Sequence, residues 1–511
     1  MSLNIIIDNK DVALPSDMEI VVKLPNALFK EREEDATYPL TLNLASNRNV
    51  FSFLERINGD VECNFSAIVK FGPYQVLKGR TEVTDINNEE IELFIATDKH
   101  SLWGKSRSIY LDHLDLGGCD YGTKSNMMVA FTRSLTENMD YVVCPLYDAY
   151  LPNIGIEQHK PFYNYLHPQN LNFSDTYDGK NRIFCPFLRL HYLIKKVLQC
   201  MGYSIVQNDI DLDEGFKDII VICRNNGISG VSLGASITYN LHVPHITVFD
   251  FLQEIENKFG YMFEVNEGNL TVTITKMKLE EKALVLEVED NINRHIISDD
   301  DKVTGIEFRD KDISDLKLDG YKDQLKILYG DGANPRSVEC ISNIVGVGQD
   351  TEQYKDGGFT KTLSYSFAAV AENHENTTAY MNHIRNEFRL SVYRGIVSGW
   401  VLPGGNFWDV NYPLASPNIV PELTLGSKLC LTWTGDYGLF KTYHEIVAKL
   451  IVGLKQEYEF ILEKSIIRLK DLREIFTSEI VIRNRVYRCY EQEITLSNNS
   501  IVSHLLRCYP V

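Results

Sequence analysis

His242 and His245 stand in LHVPHIT as H-x-x-H, a spacing that on a helix would turn two imidazoles towards one metal ion. Pro244 lies between them and the pair precedes a helix start, so they cannot share a helical face, and both read as turn or strand histidines. Asp209, Asp211 and Asp213 in DIDLDEG alternate as carboxylates converging on calcium would. Glu214 occupies the sharp-turn position that needs Gly, Gly215 comes one place late, and Ile220 sits where a bidentate Glu belongs. The run therefore reads as a solvated acidic loop. Asp299, Asp300 and Asp301 read the same way, offering at most a weak cation site at a subunit junction.

Other reactive residue types fall short of a pattern. The Gly-rich turns YGDGANP, VGVGQD and LPGGN carry neither phosphate-binding signature, and there is no G-x-S-x-G or H-E-x-x-H. Ten cysteines, at positions 63, 119, 144, 185, 200, 223, 340, 430, 489 and 508, are scattered without a C-x-x-C pair and read as small buried hydrophobes. A carboxylate pair for glycoside hydrolysis needs no motif, but among 70 acidic residues coincidence is cheap. No catalytic, cofactor-binding or metal-ligating residue is nominated, no cofactor is expected, and the chain is expected not to be an enzyme.

The elements that would position any site are mostly strands. Between residues 36 and 100, YPLTLNL, CNFSAIVKF, VLKGRTEVTDI and EIELFIA alternate apolar and polar residues and are separated by Asn- and Gly-bearing turns. A helix is expected over 187–201 with a stop at Gly202. A second begins after the capping Thr247, points Val248, Phe251, Leu252, Ile255 and Phe259 inward, and stops at Gly260. Tyr261 to Ile274 then alternates around Asn266–Asn269 as a hairpin. A third helix is expected near 378–391, with Tyr380, Ile384, Phe388 and Ser391 on one stripe. Residues 329–358 and 402–426 read as irregular, while LCLTWTG, EYEFIL and the last 34 residues read as strands.

A chain of 511 residues exceeds one hydrophobic core, so it should divide into three or four domains. The division expected is 1–120, a β-barrel or sheet domain; 121–184, an irregular insertion or arm; 185–330, an α+β domain with the helix-hairpin unit; 331–400, a linker and helix region; and 401–511, a β-rich domain. The fold class is α+β, β-rich and multi-domain, with small antiparallel tube-like barrels and a few packed amphipathic helices. Tyr (27) and Phe (24) far outnumber Trp (4), which suits half-buried sheet surfaces. A net charge of −19 opposes broad phosphate binding, so no specific nucleic acid is expected. The first residues carry no basic leader run and no 18-residue apolar stretch occurs, so neither export by a leader nor membrane insertion is expected.

Several segments together resemble tail proteins of tailed phages and prophages, those called baseplate hub or tail-tip proteins. They are YPLTLNLASNRNVFSFLERIN, FSAIVKFGPYQVLKGRTEVTDINNEEIELFIATDKHSLWG, PFLRLHYLIKKVLQCMGYSI, HVPHITVFDFLQEIENKFGYMFEVNEGNLTVTI and the terminal strands. The resemblance implies a homotrimer located in the virion tail and assembled in the bacterial host cytoplasm. In it, two similar tube-like domains per subunit form a pseudo-sixfold ring joining the tail tube to the tip or spike proteins. The 36–100 strands would supply one such domain and the 247–274 helix-hairpin with later strands would contribute to the other, although no clear copy of the first appears in the sequence. Two alternatives stand beside this. A peripheral adaptor or carbohydrate-binding adhesin would expose Tyr150, Phe162, Tyr163 and Tyr165, and a tail-associated glycan hydrolase would bring paired acids into a cleft.

Overall fold

The computed structural model describes residues 2–25, 36–52, 65–96, 102–154, 161–166, 173, 176–177, 180–224, 228–229, 236–266, 270–276, 283–297, 303–311, 314–356, 359–399, 410–419, 427–452, 454, 456–463 and 472–511. The chain is β-rich, with several antiparallel sheets and a few helices.

Period-two alternation builds the N-terminal strands. Leu3, Ile5 and Ile7 of Leu3–Ile7, Ile20, Val22 and Leu24 of Glu19–Pro25, and Ile91, Leu93 and Ile95 of Glu90–Ala96 all face one core. The C-terminal strands Arg485–Ser497 and Ile501–Pro510 send Ile494, Leu496, Leu506 and Cys508 into that same core. The two ends of the chain meet directly: Glu19–Pro25 lies antiparallel beside Arg485–Ser497, in register from Glu19↔Ser497 to Pro25↔Glu491. Fourteen strands thereby form one sheet, along an open path of pairings from Lys10–Asp11 to Val288–Ile296.

One strand order is used twice in this sheet. Apart from the two-residue strands Lys10–Asp11 and Ala36–Thr37, the N-terminal unit runs Leu3–Ile7, Glu19–Pro25, Leu40–Asn43, the short helix Arg48–Phe51, Ser66–Phe71, Tyr74–Ile86 and Glu90–Ala96. Ala283–Val285, Val288–Ile296, Gln456–Leu462, the helix Leu472–Thr477, Glu479–Ile482, Arg485–Ser497 and Ile501–Pro510 match them in order. Each unit ends in a three-stranded meander around a strand of 13 residues. In each, the strand before the helix pairs with the last strand of the meander. The units differ at their first strand, which is antiparallel to its neighbour in one and parallel in the other, and at their second, which pairs with Ala36–Thr37 in one and directly with the third strand, Gln456–Leu462, in the other. The second unit is thus built from 283–296 and 456–510, and the 247–274 helix-hairpin belongs elsewhere.

The rest of the chain forms a second core. Its helices include Lys124–Arg133, Leu190–Cys200, Val248–Phe259 and Thr377–Asn386. Thr247 caps Val248–Phe259 by accepting from the Asp250 amide, and Gly260 ends it with φ +60°, as its sequence signals require. The hairpin Tyr261–Asn266 with Thr271–Lys276 follows, widened by Ser204–Asn208 lying parallel to its second strand. Val272 and Ile274 pack into this second core, which is why the hairpin lies outside the terminal sheet.

Several expectations change here. The 187–201 helix begins at Leu190, because Phe187–Leu188 pairs as a strand with Tyr141–Val142. The third helix ends at Asn386, leaving Phe388 in the connection and Ser391 in the strand Arg389–Gly399. The 329–358 stretch carries the strands Pro335–Cys340 and Gly346–Asp356, and Val410–Ser416 occupies part of 402–426. LCLTWTG is not a strand. Leu431 and Trp433 are buried there, but their amides donate singly to Pro417 and Gln324 carbonyls instead of forming a ladder.

The joint between the chain ends carries a stability prediction. Ile20→Ala is expected to cost about 3 kcal/mol and to speed amide exchange in both Glu19–Pro25 and Arg485–Ser497. Loss of protection confined to the first of these strands would show that the two units do not open together.

Candidate functional site

The residues singled out by sequence are dispersed, and each has a packing role. His242 is buried with Nδ1 3.7 Å from Cys185 Sγ, a distance that invites a nucleophilic dyad. Burial instead pushes the Cys185 thiol well above its ordinary range and holds His242 down to about 4, so thiol and imidazole are both neutral. The Cys185 S–H donates to the Cys223 carbonyl. His245 points elsewhere, its Nδ1 2.9 Å from both Asp112 oxygens and its ring stacked on Tyr110.

The acidic loop is not left to solvent. Asp211 pairs with Lys195 at 2.7 Å, and Asp209 accepts from the Lys276 amide. Asp213 accepts from the amides of Gly215 and Phe216 and from the hydroxyls of Tyr261 and Tyr443. Its lone pairs hold the protein together and are not offered to a cation. Asp299–Asp301 lies outside the described residues. Phe162, Tyr163 and Tyr165 are buried in the chain's own core, and Tyr150 stacks on Tyr380. Six of the cysteines are buried, Cys119 and Cys430 are half-buried, Cys200 is exposed, and Cys63 lies outside the described residues.

Among the described residues, two clusters with metal-ligand chemistry come together in space. Asp112, His113 and His245 place three ligand atoms within 4.8 Å of one another at the surface. The Asp112 carboxylate already faces His245 with both oxygens and has the Arg385 guanidinium at 3.7 Å, whose charge opposes an added cation. Glu372, His374 and His383 form the second cluster. Both Glu372 oxygens are taken by guanidiniums, at 2.9 Å from Arg224 and 2.6 Å from Arg389. Neither donor set fits a metal.

Glu372 belongs to the largest buried charge network among the described residues. Arg224 pairs with Asp148, Glu372 and Glu387, and Arg389 pairs with Glu372, Glu387 and Asp315. The two guanidiniums are fully buried and tie together the ends of strands Leu146–Asp148, Ile219–Ile222 and Phe359–Val370, the helix Thr377–Asn386 and the turn Leu316–Gln324. Burial pushes Glu372 up, but the His383 hydrogen bond and the Arg389 and Arg224 charges bring it down to about 2. Hydrogen bonds to Glu372 and Glu387 raise His383 to about 9, so at neutral pH it adds a positive charge where four carboxylates outnumber two guanidiniums.

A second buried set lies on the Val248–Phe259 helix. Lys258 Nζ donates to Asp310 at 2.9 Å, as does Trp433 Nε1, while Glu254 accepts from the Ile341 and Ser342 amides. Sequence periodicity missed this set, because Glu254 and Lys258 fall on the apolar face of their helix and charged residues there are ordinarily assigned to solvent.

No family model matches the chain, and no curated protein matches it. Among solved structures it is similar, across its whole length, to the prophage MuSo2 43 kDa tail protein from Shewanella oneidensis (8% identity, 100% of this chain and 98% of that chain, TM-score 0.37). It is similar to a tail protein from Neisseria meningitidis MC58 (10% identity, 99% and 96%, TM-score 0.32). It is also similar to an E. coli component of the type VI secretion system (7% identity, 99% and 76%, TM-score 0.28).

Two outcomes test the Arg224–Arg389 network. Arg224→Met strands buried carboxylates and is expected to cost about 3–5 kcal/mol in chemical denaturation. His383 has a raised folded pKa, so its contribution is complete below about pH 6.5 and lost as pH rises through about 9. Melting curves from pH 6 to pH 10 should show the wild type losing more stability than His383→Gln. Parallel profiles would remove His383 from the network.

Proposed function

We propose that the chain is a structural subunit of a phage or phage-like tail, a baseplate hub or tail-tip protein that joins the tail tube to the distal tip. The observation that carries this reading is the strand order used twice in one chain, with the two units joined edge to edge by Glu19–Pro25 and Arg485–Ser497. A subunit with two like units can meet a sixfold tube with only three copies. The resemblance of YPLTLNLASNRNVFSFLERIN and the other segments to hub proteins asks for such a pair.

In this reading the protein works as a homotrimer, its partners are tube and tip proteins, it resides in the virion tail, and no residue is catalytic. The net charge of −19 suits a conduit from which DNA is repelled. The adhesin alternative loses its support in the burial of Phe162, Tyr163 and Tyr165, which leaves those rings unavailable to a sugar.

The purified chain should run as a trimer of 58.5 kDa subunits by light scattering coupled to size exclusion, with a central hole in negative-stain averages. A monomer at every concentration tested would overturn the reading.

A further inference from the structure

Among the described residues, Cys489 and Cys508 are the one pair of cysteines that face each other in register across neighbouring strands. Cys489 lies in Arg485–Ser497 and Cys508 in Ile501–Pro510. Both are fully buried and belong to the terminal core, with Phe460, Tyr487, Ile494 and Leu506. The Cys489 S–H donates to the Glu491 carbonyl, and the Cys508 thiol is hydrogen-bonded to Cys489. Other cysteines have different neighbours: Cys119 faces Ile237, Cys340 faces Asp310, and Cys185 gives its S–H to a carbonyl.

Directly opposite residues of an antiparallel pair have Cα atoms about 4.5 or 5.5 Å apart, depending on the rung. Both separations fall within the roughly 4.4–6.8 Å that a disulfide spans. The strand pair therefore already holds the two cysteines at bonding distance.

Their place in the sheet gives such a bond a purpose. The ladder slips beside this rung, where Tyr490 is an extra residue between Cys489 and Glu491. A bulge of this kind leaves one residue unpaired and locally disrupts the ladder. Beyond the bulge, Arg485–Ser497 carries the joint with Glu19–Pro25, and on the other side Cys508 pairs with Tyr458 of Gln456–Leu462. The rung thus lies between the joint of the two units and the strand by which the chain returns from the second core.

We propose that Cys489 and Cys508 form a redox pair, a buried dithiol that oxidises to a cross-strand disulfide and staples the sheet beside its bulge. The oxidant is a small disulfide of the glutathione class. One cysteine, as thiolate, attacks a sulfur of that disulfide, giving a mixed disulfide and releasing one thiol. The second cysteine then attacks the mixed disulfide at the protein sulfur, forming the cross-strand bond and releasing the second thiol. Two electrons pass to the oxidant, and the two protons of the protein thiols leave on the released thiols. Burial pushes the Cys508 thiol well above its ordinary range, so the pair is inert in the closed sheet and exchanges when the strands open. The same burial shields the finished disulfide from reductants.

The test equilibrates the full chain with reduced and oxidised glutathione at a series of ratios, in water and in urea below the unfolding midpoint, where strands open and reclose. Remaining thiols are alkylated and linked peptides are mapped by mass spectrometry. A Cys489–Cys508 link is expected, forming faster in urea. The oxidised chain should melt about 3 °C or more above the reduced one, dithiothreitol should reverse the shift, and Cys508→Ala should not show it. A folded chain in which Cys489 and Cys508 are both alkylated at the most oxidising ratio in urea would overturn the proposal, as would a link from either one to a different cysteine. A Cys489–Cys508 link that leaves the melting temperature unchanged or lower would overturn its role as a staple.

Discussion

Seven paired positions between Glu19–Pro25 and Arg485–Ser497 fix the rest of the molecule. They bring together segments separated by almost the whole chain and merge two small sheets over one apolar core. The two units bury their apolar faces in that shared core, so the folding of each is coupled to the folding of the other. The loop-closure entropy of that pairing is offset by the burial of Ile20, Val22, Ile494 and Leu496. Tyr490 and Tyr509, stacked on the other face of the same strands, carry the contact through to the second core.

That second core depends on charge as much as on apolar packing. Arg224 and Arg389 are buried among Asp148, Asp315, Glu372 and Glu387, each at the end of a strand, helix or turn. Such a network adds little net stability over an apolar alternative, but it is unforgiving of misplacement, since any element out of position strands a buried charge. Directional pairs of this kind specify one arrangement of several short elements that hydrophobic burial alone would let slide. The same holds for Lys258, Asp310 and Trp433, which lock the Val248–Phe259 helix to two distant segments.

What could be read from sequence was local. The Thr247 cap, the Gly260 stop and the hairpin after them are encoded within thirty residues and formed as their chemistry requires. The strands of 36–96 announced themselves by alternation. The copy of that unit stayed hidden because about 160 residues separate its second and third strands, and because the two units share an order of strands and not residue types. The buried charges were invisible for a different reason: Arg224, Asp148 and Glu372 lie far apart in sequence, and only the fold makes them neighbours. The acidic loop was misread as solvated because Tyr261 and Tyr443, its partners, are supplied by distant elements.

The insertion point of the second core has a mechanical meaning. The chain leaves the terminal sheet after Ile296 and returns at Gln456, and these two residues face each other in register. Both strands therefore enter the same body from the same end of the sheet, and a pull on that body along the strand direction draws them one way without parting them from each other. It loads Gln456–Leu462 along its length against Ile501–Pro510, whose rungs have to break together, in shear. Strain arriving at the inserted body would thus be carried into the terminal sheet.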